Sequence, residues 1–193
     1  MAFDIAHTAL LAMDCQAGIV SIYIKDGGFI ERAAGVVKAA RKASMPVVHI
    51  QVGFRPGLPE VSRRNKVFAA LKDDPLRQKL FLGEGAVIHP ALGPESTDIV
   101  VTKHRVSAFK GTDLEMVLRA KEVETLVLFG IATSGVVLST LVEASDSDFN
   151  IVVISDCCAD QDSELHTALL TRLYPRRAEV MTAEEFVKAL NVT

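Results

Sequence analysis

The chain has 193 residues, 49% of them hydrophobic, and carries a formal net charge of −3. This length and apolar content predict one compact domain over residues 1–193, and the scattered basic residues exclude a nucleic-acid-binding protein. Three cysteines, two of them adjacent, do not form the framework of a secreted disulfide-rich protein, so we expect a cytoplasmic location.

The first predicted strand is the apolar run Thr8–Met13, which ends at Asp14. An acidic residue that closes a buried strand is costly unless it faces a site or a partner. The alternative is an aspartate that caps the following turn. A helix over Gly35–Ala43 and a second strand over Val47–Val52 follow, and we interpret His49 in that strand as a buried, hydrogen-bonded imidazole.

Residues 53–85, called the excursion below, are the least regular part of the chain. They contain prolines and glycines around one predicted helix, Ser62–Leu71. Such insertions often contain substrate loops and subunit contacts. Arg55, Arg63 and Arg64 are candidates for binding a carboxylate, and the alternative is a solvated loop with surface charges.

The second half of the chain continues the alternation of strands and helices. Further strands are predicted at Asp98–Thr102, Glu124–Phe129, Ile151–Ser155 and Ala178–Met181. Helices are predicted at Asp162–Leu173 and after two capping boxes, Thr112–Glu115 and Thr182–Glu185. This order predicts an α/β fold with a doubly wound, Rossmann-like, six-stranded parallel sheet in a three-layer α/β/α sandwich. No phosphate-binding glycine motif occurs, which argues against nucleotide use.

The uncharged run Thr125–Val142 is long enough to suggest a membrane span. Glycine, serine and threonine residues interrupt it and its apolar period changes midway, so we predict no membrane span. The mean hydropathy of +0.28 is high for a soluble monomer. Buried parallel strands together with an apolar subunit contact would account for it, so we expect a homo-oligomer.

The turn after the fourth strand, residues 130–136, is predicted to lie at the carboxyl edge of the sheet, where open α/β sheets bind ligands. Thr133 or Ser134 is the predicted N-cap of the next helix, whose first amides suit negative charge on a substrate. The alternative is a turn that binds nothing. If the first, third and fourth strands lie side by side, Asp14, Lys103 and this turn share one crevice. That crevice predicts hydrolytic or lyase chemistry on a small molecule.

Three segments resemble the isochorismatase-like hydrolase superfamily, which includes nicotinamidases, N-carbamoyl amidohydrolases and isochorismatases. They are ALLAMDCQAGIV (9–20), VVTKHRVSAFKGTDLEMVLR (100–119) and TLVLFGIATSGVVLSTLVEASD (125–146). The resemblance assigns Asp14 and Lys103 to the family's catalytic aspartate and lysine. It implies a cis peptide at Ile131–Ala132, with Ile131, Ala132 and Gly135 around an anion hole. For Ser107 and Phe109 it implies pocket-lining roles, with ordinary core packing as the alternative for Phe109.

One position departs from the amidase branch of this family. The nucleophilic cysteine of that branch would fall four residues after Ala132, where this sequence has Val136. In the isochorismatase branch, which also lacks that cysteine, the aspartate is proposed to protonate a vinyl ether before water completes the cleavage. We therefore expect acid-assisted cleavage with Asp14 as general acid, Lys103 as its electrostatic partner and the amides of Ala132 and Val136 as anion hole.

Two other functions stay open at this point. Val136 is also compatible with a catalytically silent ligand-binding or scaffolding relative. The second alternative is a cysteine hydrolase that uses the thiol of Cys15, next to Asp14. We interpret Cys157 and Cys158 as structural. The metal-binding Asp-x-His of nicotinamidases has no counterpart here, because the corresponding strand contains His49 and Gln51, so we predict no metal and no cofactor. Gln51 is instead a candidate substrate-binding residue. The expected partners are a small-molecule substrate and further copies of the chain as a dimer or tetramer, with neither nucleic acid nor membrane.

Overall fold

A computed structural model describes residues 3–25 and 27–191. Its centre is a six-stranded sheet with the strand order β3-β2-β1-β4-β5-β6, in which every neighbouring pair is parallel. The strands are β1 (Thr8–Met13), β2 (Val47–Val52), β3 (Ile99–Lys103), β4 (Thr125–Ile131), β5 (Asn150–Ala159) and β6 (Glu179–Met181). The predicted α/β class with a six-stranded parallel sheet is confirmed.

The helices that connect these strands pack on the sheet. Within the described residues they are α1 (Ala17–Tyr23), α2 (Gly28–Lys42), α3 (Pro75–Gln78), α4 (Leu114–Ala120), α5 (Leu138–Asp146), α6 (Ser163–Ala168) and α7 (Ala183–Leu190). The chain runs outward from β1 to β3 on one side and from β4 to β6 on the other. Right-handed crossovers therefore place α2 and α5 on opposite faces of the sheet. None of these helices is both long and apolar enough to cross a lipid bilayer.

Strand β1 lies at the centre of the sheet, between β2 and β4, and all six of its residues are buried. A parallel strand covered on both faces needs a continuous apolar run, which this segment supplies. Helix α2 begins at Gly28 rather than at the predicted Gly35, because Phe29 and Ala33 continue the apolar spacing of its buried stripe toward the N-terminus.

The order of the strands differs from the assumption that the first, third and fourth lie side by side. Strands β1 and β4 are neighbours, but β2 lies between β1 and β3. Hydrophobic periodicity identifies strands but does not fix which of them pair. Any contact between the ends of β1 and β3 must therefore reach across the end of β2.

The excursion between β2 and β3 is built from turns. The helix predicted over Ser62–Leu71 is wrong, because that stretch forms turns that end in a 3-10 turn at Ala69–Lys72. Short α3 follows, with the Asp74 carboxylate accepting from the amides of Leu76 and Arg77. Helix α1, which is not among the predicted helices, is the other difference near the edge of the sheet.

The two predicted capping boxes have different outcomes. At the start of α7 the box forms, with reciprocal hydrogen bonds between Thr182 and Glu185. At α4 the predicted box does not form, because the N-cap is Asp113 and its side chain makes no capping hydrogen bond. The hydroxyl of Thr112 instead accepts from the amide of Leu114 at 3.3 Å and donates to the carbonyl oxygen of Ala108 at 2.7 Å. The Thr112 side chain thus fastens the loop that follows Lys103.

Gln16 links the segment after β1 to both ends of the excursion. Its side chain is fully buried, donates to the carbonyl oxygens of Val52 and Ala86, and accepts from the amide of Val52. Backbone hydrogen bonds join the same segments, since the amide of Ala17 donates to the oxygen of Val87. The excursion is therefore held at both ends beside the residue that closes β1.

Candidate active site

Asp14 and Lys103 form an ion pair above the carboxyl edge of the sheet. The Lys103 Nζ lies 2.8 Å from the Asp14 Oδ2, and the two side chains are 2% and 8% exposed. Lys103 is in register with Val52, so its long side chain passes the end of β2 to reach Asp14. The backbone of Asp14 is left-handed, with φ at 54°, and its amide donates to the oxygen of Ile50 at 2.8 Å. These backbone constraints fix the direction of the carboxyl.

The two oxygens of the Asp14 carboxyl have different surroundings. Oδ2 contacts Lys103, whereas the buried Oδ1 has no hydrogen-bond partner among the described residues. Burial raises the pKa of Asp14, and the charge and hydrogen bond of Lys103 oppose that rise without cancelling it. The Lys103 ammonium also donates to the carbonyl oxygen of Arg105 at 3.0 Å, which holds it in place. The carboxyl is thus suited to hold a proton on an oxygen that has no other partner.

The turn after β4 comes very close to the end of β1. Gly130 has a φ of 149° and pairs with Met13, and a β-carbon added there would lie 2.0 Å from the Met13 carbonyl oxygen. Only glycine permits this approach. The following Ile131–Ala132 peptide is cis. The turn therefore lies directly beside Asp14.

Residues Thr133–Val137 form a π-helical turn that leads into α5, and neither Thr133 nor Ser134 caps it as predicted. Their polar groups have other partners. The Thr133 hydroxyl hydrogen-bonds with His166 Nδ1 at 2.8 Å, and the Ser134 amide donates to the Asp160 carboxylate at 2.7 Å. A carboxylate of the protein itself thus takes part of the anion-binding capacity at the start of this helix.

The amides of the turn are used unequally. The Gly135 amide donates to the carbonyl oxygen of Ala132 at 3.1 Å, and the Val137 amide donates to the same oxygen at 3.3 Å. Gly135 therefore contributes to the shape of the turn through its backbone. The amides of Ala132 and Val136 are the remaining candidates for an anion hole.

A cavity of about 500 Å³ opens beside the ion pair. Six predicted site residues line it: Asp14, Lys103, Ile131, Ala132, Gly135 and Val136. Most of its other lining residues are apolar, and several of them come from the excursion, including Phe68, Leu71 and Phe81. Tyr23 and Gln161 add two polar side chains, and burial together with the charges of Asp160 and Asp14 raises the pKa of Tyr23.

Three residues implied as substrate-binding or pocket-lining do not line this cavity. Gln51 donates to the Thr102 hydroxyl at 3.0 Å on the neighbouring strand. Phe109 stacks on Phe149 with ring centroids 6.1 Å apart, so it packs in the core. Ser107 donates its hydroxyl proton to the Glu143 carboxylate. The side chains of Gln51, Phe109 and Ser107 thus support the loops and strands around the site.

The cysteine thiols are buried and lie outside the cavity lining. Cys15, Cys157 and Cys158 are 2%, 0% and 6% exposed. Burial raises the pKa of all three thiols, to about 12 for Cys158, and the charge of Asp14 raises that of Cys15 further. A protonated, buried thiol is a poor nucleophile. Cys15 therefore lacks the properties of a catalytic thiolate.

His49 lies in the middle of β2 and does not line the cavity. It is 1% exposed, and its Nε2 lies 3.2 Å from the Asp98 Oδ2. Burial lowers the pKa of His49. It is thus the buried, hydrogen-bonded imidazole that the sequence predicts. Over residues 3–25 and 27–191, no group of three histidine, cysteine, aspartate or glutamate side chains is arranged to bind a metal.

The excursion contributes a cavity residue that the sequence did not single out, Arg77. The arginines that it did single out have other positions: Arg55 pairs with Glu60, and Arg63 pairs with Asp73 at 2.8 Å. Nothing in the local sequence separates Arg77 from these others, because which side of a turn faces the cavity is decided by packing.

Residues 8–185 match the family model of the isochorismatase domain. The chain is 34% identical over 190 residues to the isochorismatase family protein YecD of Escherichia coli O157:H7, covering 95% of this chain and 96% of that protein. It is 31% identical over 217 residues to the ureidoacrylate amidohydrolase RutB of Methylobacterium radiotolerans, covering 100% of this chain and 83% of that protein.

A solved structure of an isochorismatase family protein from Burkholderia thailandensis superposes with a TM-score of 0.86 at 32% identity, covering 98% of each chain. The domain match spans nearly the whole sequence, and both the fold and the relatives agree with it. The chain therefore belongs to the isochorismatase family of hydrolases.

Proposed function

We propose that this hydrolase cleaves a small molecule by acid catalysis, with Asp14 as the general acid and without a thiol nucleophile. The observation that carries the proposal is the Asp14 carboxyl, which has Lys103 on one oxygen and no hydrogen-bond partner among the described residues on the other. That carboxyl lines a cavity in which position 136, where the amidase branch has its cysteine, is a valine.

The proton is available because burial raises the pKa of Asp14. A general acid works best when its pKa lies near the working pH, and burial is the usual way to bring a carboxyl toward that range. When Asp14 gives up its proton, the Lys103 ammonium at 2.8 Å stabilises the carboxylate that forms. Lys103 therefore favours the charge-separated state that follows proton transfer.

On a vinyl ether the reaction has three steps. Asp14 protonates the terminal alkene carbon, and the ether oxygen shares the resulting positive charge. Water then adds to the carbon that bears the oxygen, and the hemiketal formed collapses to a carbonyl compound and an alcohol while Asp14 recovers a proton. No covalent bond to the enzyme is required. In this proposal the amides of Ala132 and Val136 hold an anionic group of the substrate beside the reacting bond.

Small amides form the second substrate class to examine. Relatives of this chain include proteins named ureidoacrylate amidohydrolase and maleamate amidohydrolase. On an amide, water would attack the carbonyl carbon, Asp14 would protonate the leaving nitrogen as the carbon–nitrogen bond breaks, and the proton that the water loses would return to Asp14. The same acid serves both classes, so one variant tests both.

The experiment is a turnover assay on a panel of vinyl ethers and small amides. We expect Asp14→Asn to lose at least about 100-fold in kcat, as removal of a general acid typically does. The matched control is Cys15→Ser, which leaves the carboxyl in place and is expected to keep wild-type turnover. Full activity of Asp14→Asn would overturn the proposal, and loss of activity in Cys15→Ser would favour a thiol mechanism instead.

A further inference from the structure

We propose that the excursion selects the substrate of this site, and that the substrate is a small organic acid with an apolar body whose carboxylate binds Arg77. This inference rests on the proposed function, because it assigns the substrate class of the same cavity.

The wall that the excursion contributes is mainly apolar. Its side chains include Val67, Phe68, Leu71, Leu80 and Phe81. Phe68 and Leu71 are buried, whereas Val67 is 62% exposed at the mouth. A ligand that covers such a surface gains free energy in proportion to the apolar area removed from water. The wall therefore favours an aromatic or aliphatic body over a fully polar one.

The charges of the lining favour an anion. Its charged side chains are Asp14, Arg77 and Lys103, so two cations face one carboxyl, and that carboxyl is already paired with Lys103. The whole chain has the opposite sign, with a net charge of −3. Arg77, whose partner Asp74 does not line the cavity, therefore gives this mouth of an acidic protein a cation that attracts an anionic ligand.

Arg77 lies at the mouth in a position to bind a carboxylate. Its side chain is 61% exposed, and its Nε lies 3.2 Å from the Asp74 carboxylate on the same short helix. Asp74 is held there by the amides that it caps. An exposed pair of this kind contributes little stability, so it does not prevent a second carboxylate from binding. The guanidinium has five donors, and its two terminal amino groups suit a bidentate contact.

Other arginines of the excursion are directed elsewhere. Arg63 makes two hydrogen bonds to the Asp73 carboxylate, at 2.8 and 3.1 Å, and does not line the cavity. It is exposed to a similar degree as Arg77, with 68% of its side chain accessible. Arg63 is therefore a matched control, because its substitution removes the same charge from the same segment without changing the lining.

The test measures binding rather than turnover. The probes are 3-phenylpropionate, the uncharged 3-phenylpropan-1-ol of nearly the same shape, and propionate, which lacks the apolar body. Dissociation constants are measured by calorimetry for the wild-type protein, Arg77→Gln and Arg63→Gln. We expect the wild-type protein to bind 3-phenylpropionate more tightly than either of the other two probes.

Arg77→Gln is expected to weaken 3-phenylpropionate binding about tenfold, as loss of a charge-assisted hydrogen bond does, and to leave binding of the alcohol unchanged. Arg63→Gln is expected to change neither. Equal binding of the acid and the alcohol, an equal loss in both arginine variants, or tighter binding of propionate would each overturn the inference.

Comparing the turnover of Asp14→Asn with the dissociation constants of Arg77→Gln separates this inference from the proposed function. If that variant keeps full turnover while Arg77→Gln weakens acid binding, the acid mechanism fails and the substrate class stands. If Asp14→Asn loses turnover while Arg77→Gln binds the acid as the wild-type protein does, the mechanism stands and the role of Arg77 fails.

Discussion

Replacing Lys103 with methionine is expected to make the folded protein less stable as the pH rises. The ammonium is buried, with its Nζ 2.8 Å from the Asp14 Oδ2. Its removal leaves a buried carboxyl whose pKa burial already raises and which has lost the interaction that opposed the rise. Removing one partner of a buried ion pair lowers the free energy of unfolding by about 3–5 kcal/mol when the remaining group stays charged.

The sign of the pH dependence follows from proton binding. In the variant the pKa of the buried Asp14 carboxyl is higher in the folded state than in the unfolded state, where it has its ordinary value of 3.8. Between these two pKa values unfolding releases a proton, and the free energy of unfolding falls by up to about 1.4 kcal/mol per pH unit. The contribution of Asp14 to stability is greatest below the pKa of the unfolded carboxyl and is lost as the pH rises through the pKa of the folded carboxyl.

Urea unfolding at several pH values measures this slope. The control is the double variant Asp14→Asn/Lys103→Met, which has the same loss of the ammonium but no carboxyl to titrate. The difference between the two variants isolates the contribution of Asp14. Parallel pH profiles for the single and double variants would refute the argument that burial governs this carboxyl.

Three further predictions address the turn, the cavity and the last helix. Gly130→Ala is expected to destabilise the protein by on the order of 3 kcal/mol or more in urea unfolding, because its β-carbon would meet the Met13 oxygen at 2.0 Å. The control Gly35→Ala, in helix α2 with open space around it, should stabilise the protein by up to about 1 kcal/mol. Equal effects of the two substitutions would contradict this difference. Val136→Cys is expected to react with iodoacetamide faster than the three native thiols, because position 136 lines the cavity and none of the native thiols does, and because burial raises the pKa values of the native thiols. Mass spectrometry of tryptic peptides reads out the order of labelling, and faster labelling of any native thiol would refute this prediction. Thr182→Ala should cost about 1 kcal/mol through loss of the capping box, and an unchanged urea midpoint would show that the cap contributes nothing.

Much of the fold could be predicted from the sequence because buried strands have a strong local signal. The bounds of β1 and β2 agree with their predicted runs, since each is continuous and apolar between clear breaks. Helix α1 was not predicted. Its sequence AGIVSIY has a glycine and β-branched residues that disfavour a helix in isolation. Packing stabilises it, since Gly18 closely approaches the backbone of Leu80 and Gly85.

One part of the candidate site could likewise be predicted from the sequence, and another part could not. Asp14 and Lys103 could be identified because each closes a buried strand, a position at which a charged residue is unusual. Their contact across β2 required the strand order, which local patterns do not contain. The cavity role of Arg77 depends on how irregular turns fold over the sheet edge, and no periodic pattern describes such turns.

The buried amide of Gln16 has a consequence for how this family member can change its substrate. It anchors the loop after Asp14 to Val52 and Ala86, the residues that bracket the excursion. The stretch between those anchors provides much of the cavity wall but neither member of the ion pair. A graft that exchanges residues 62–84 between relatives and keeps both anchors should therefore transfer ligand preference while the acid stays in place.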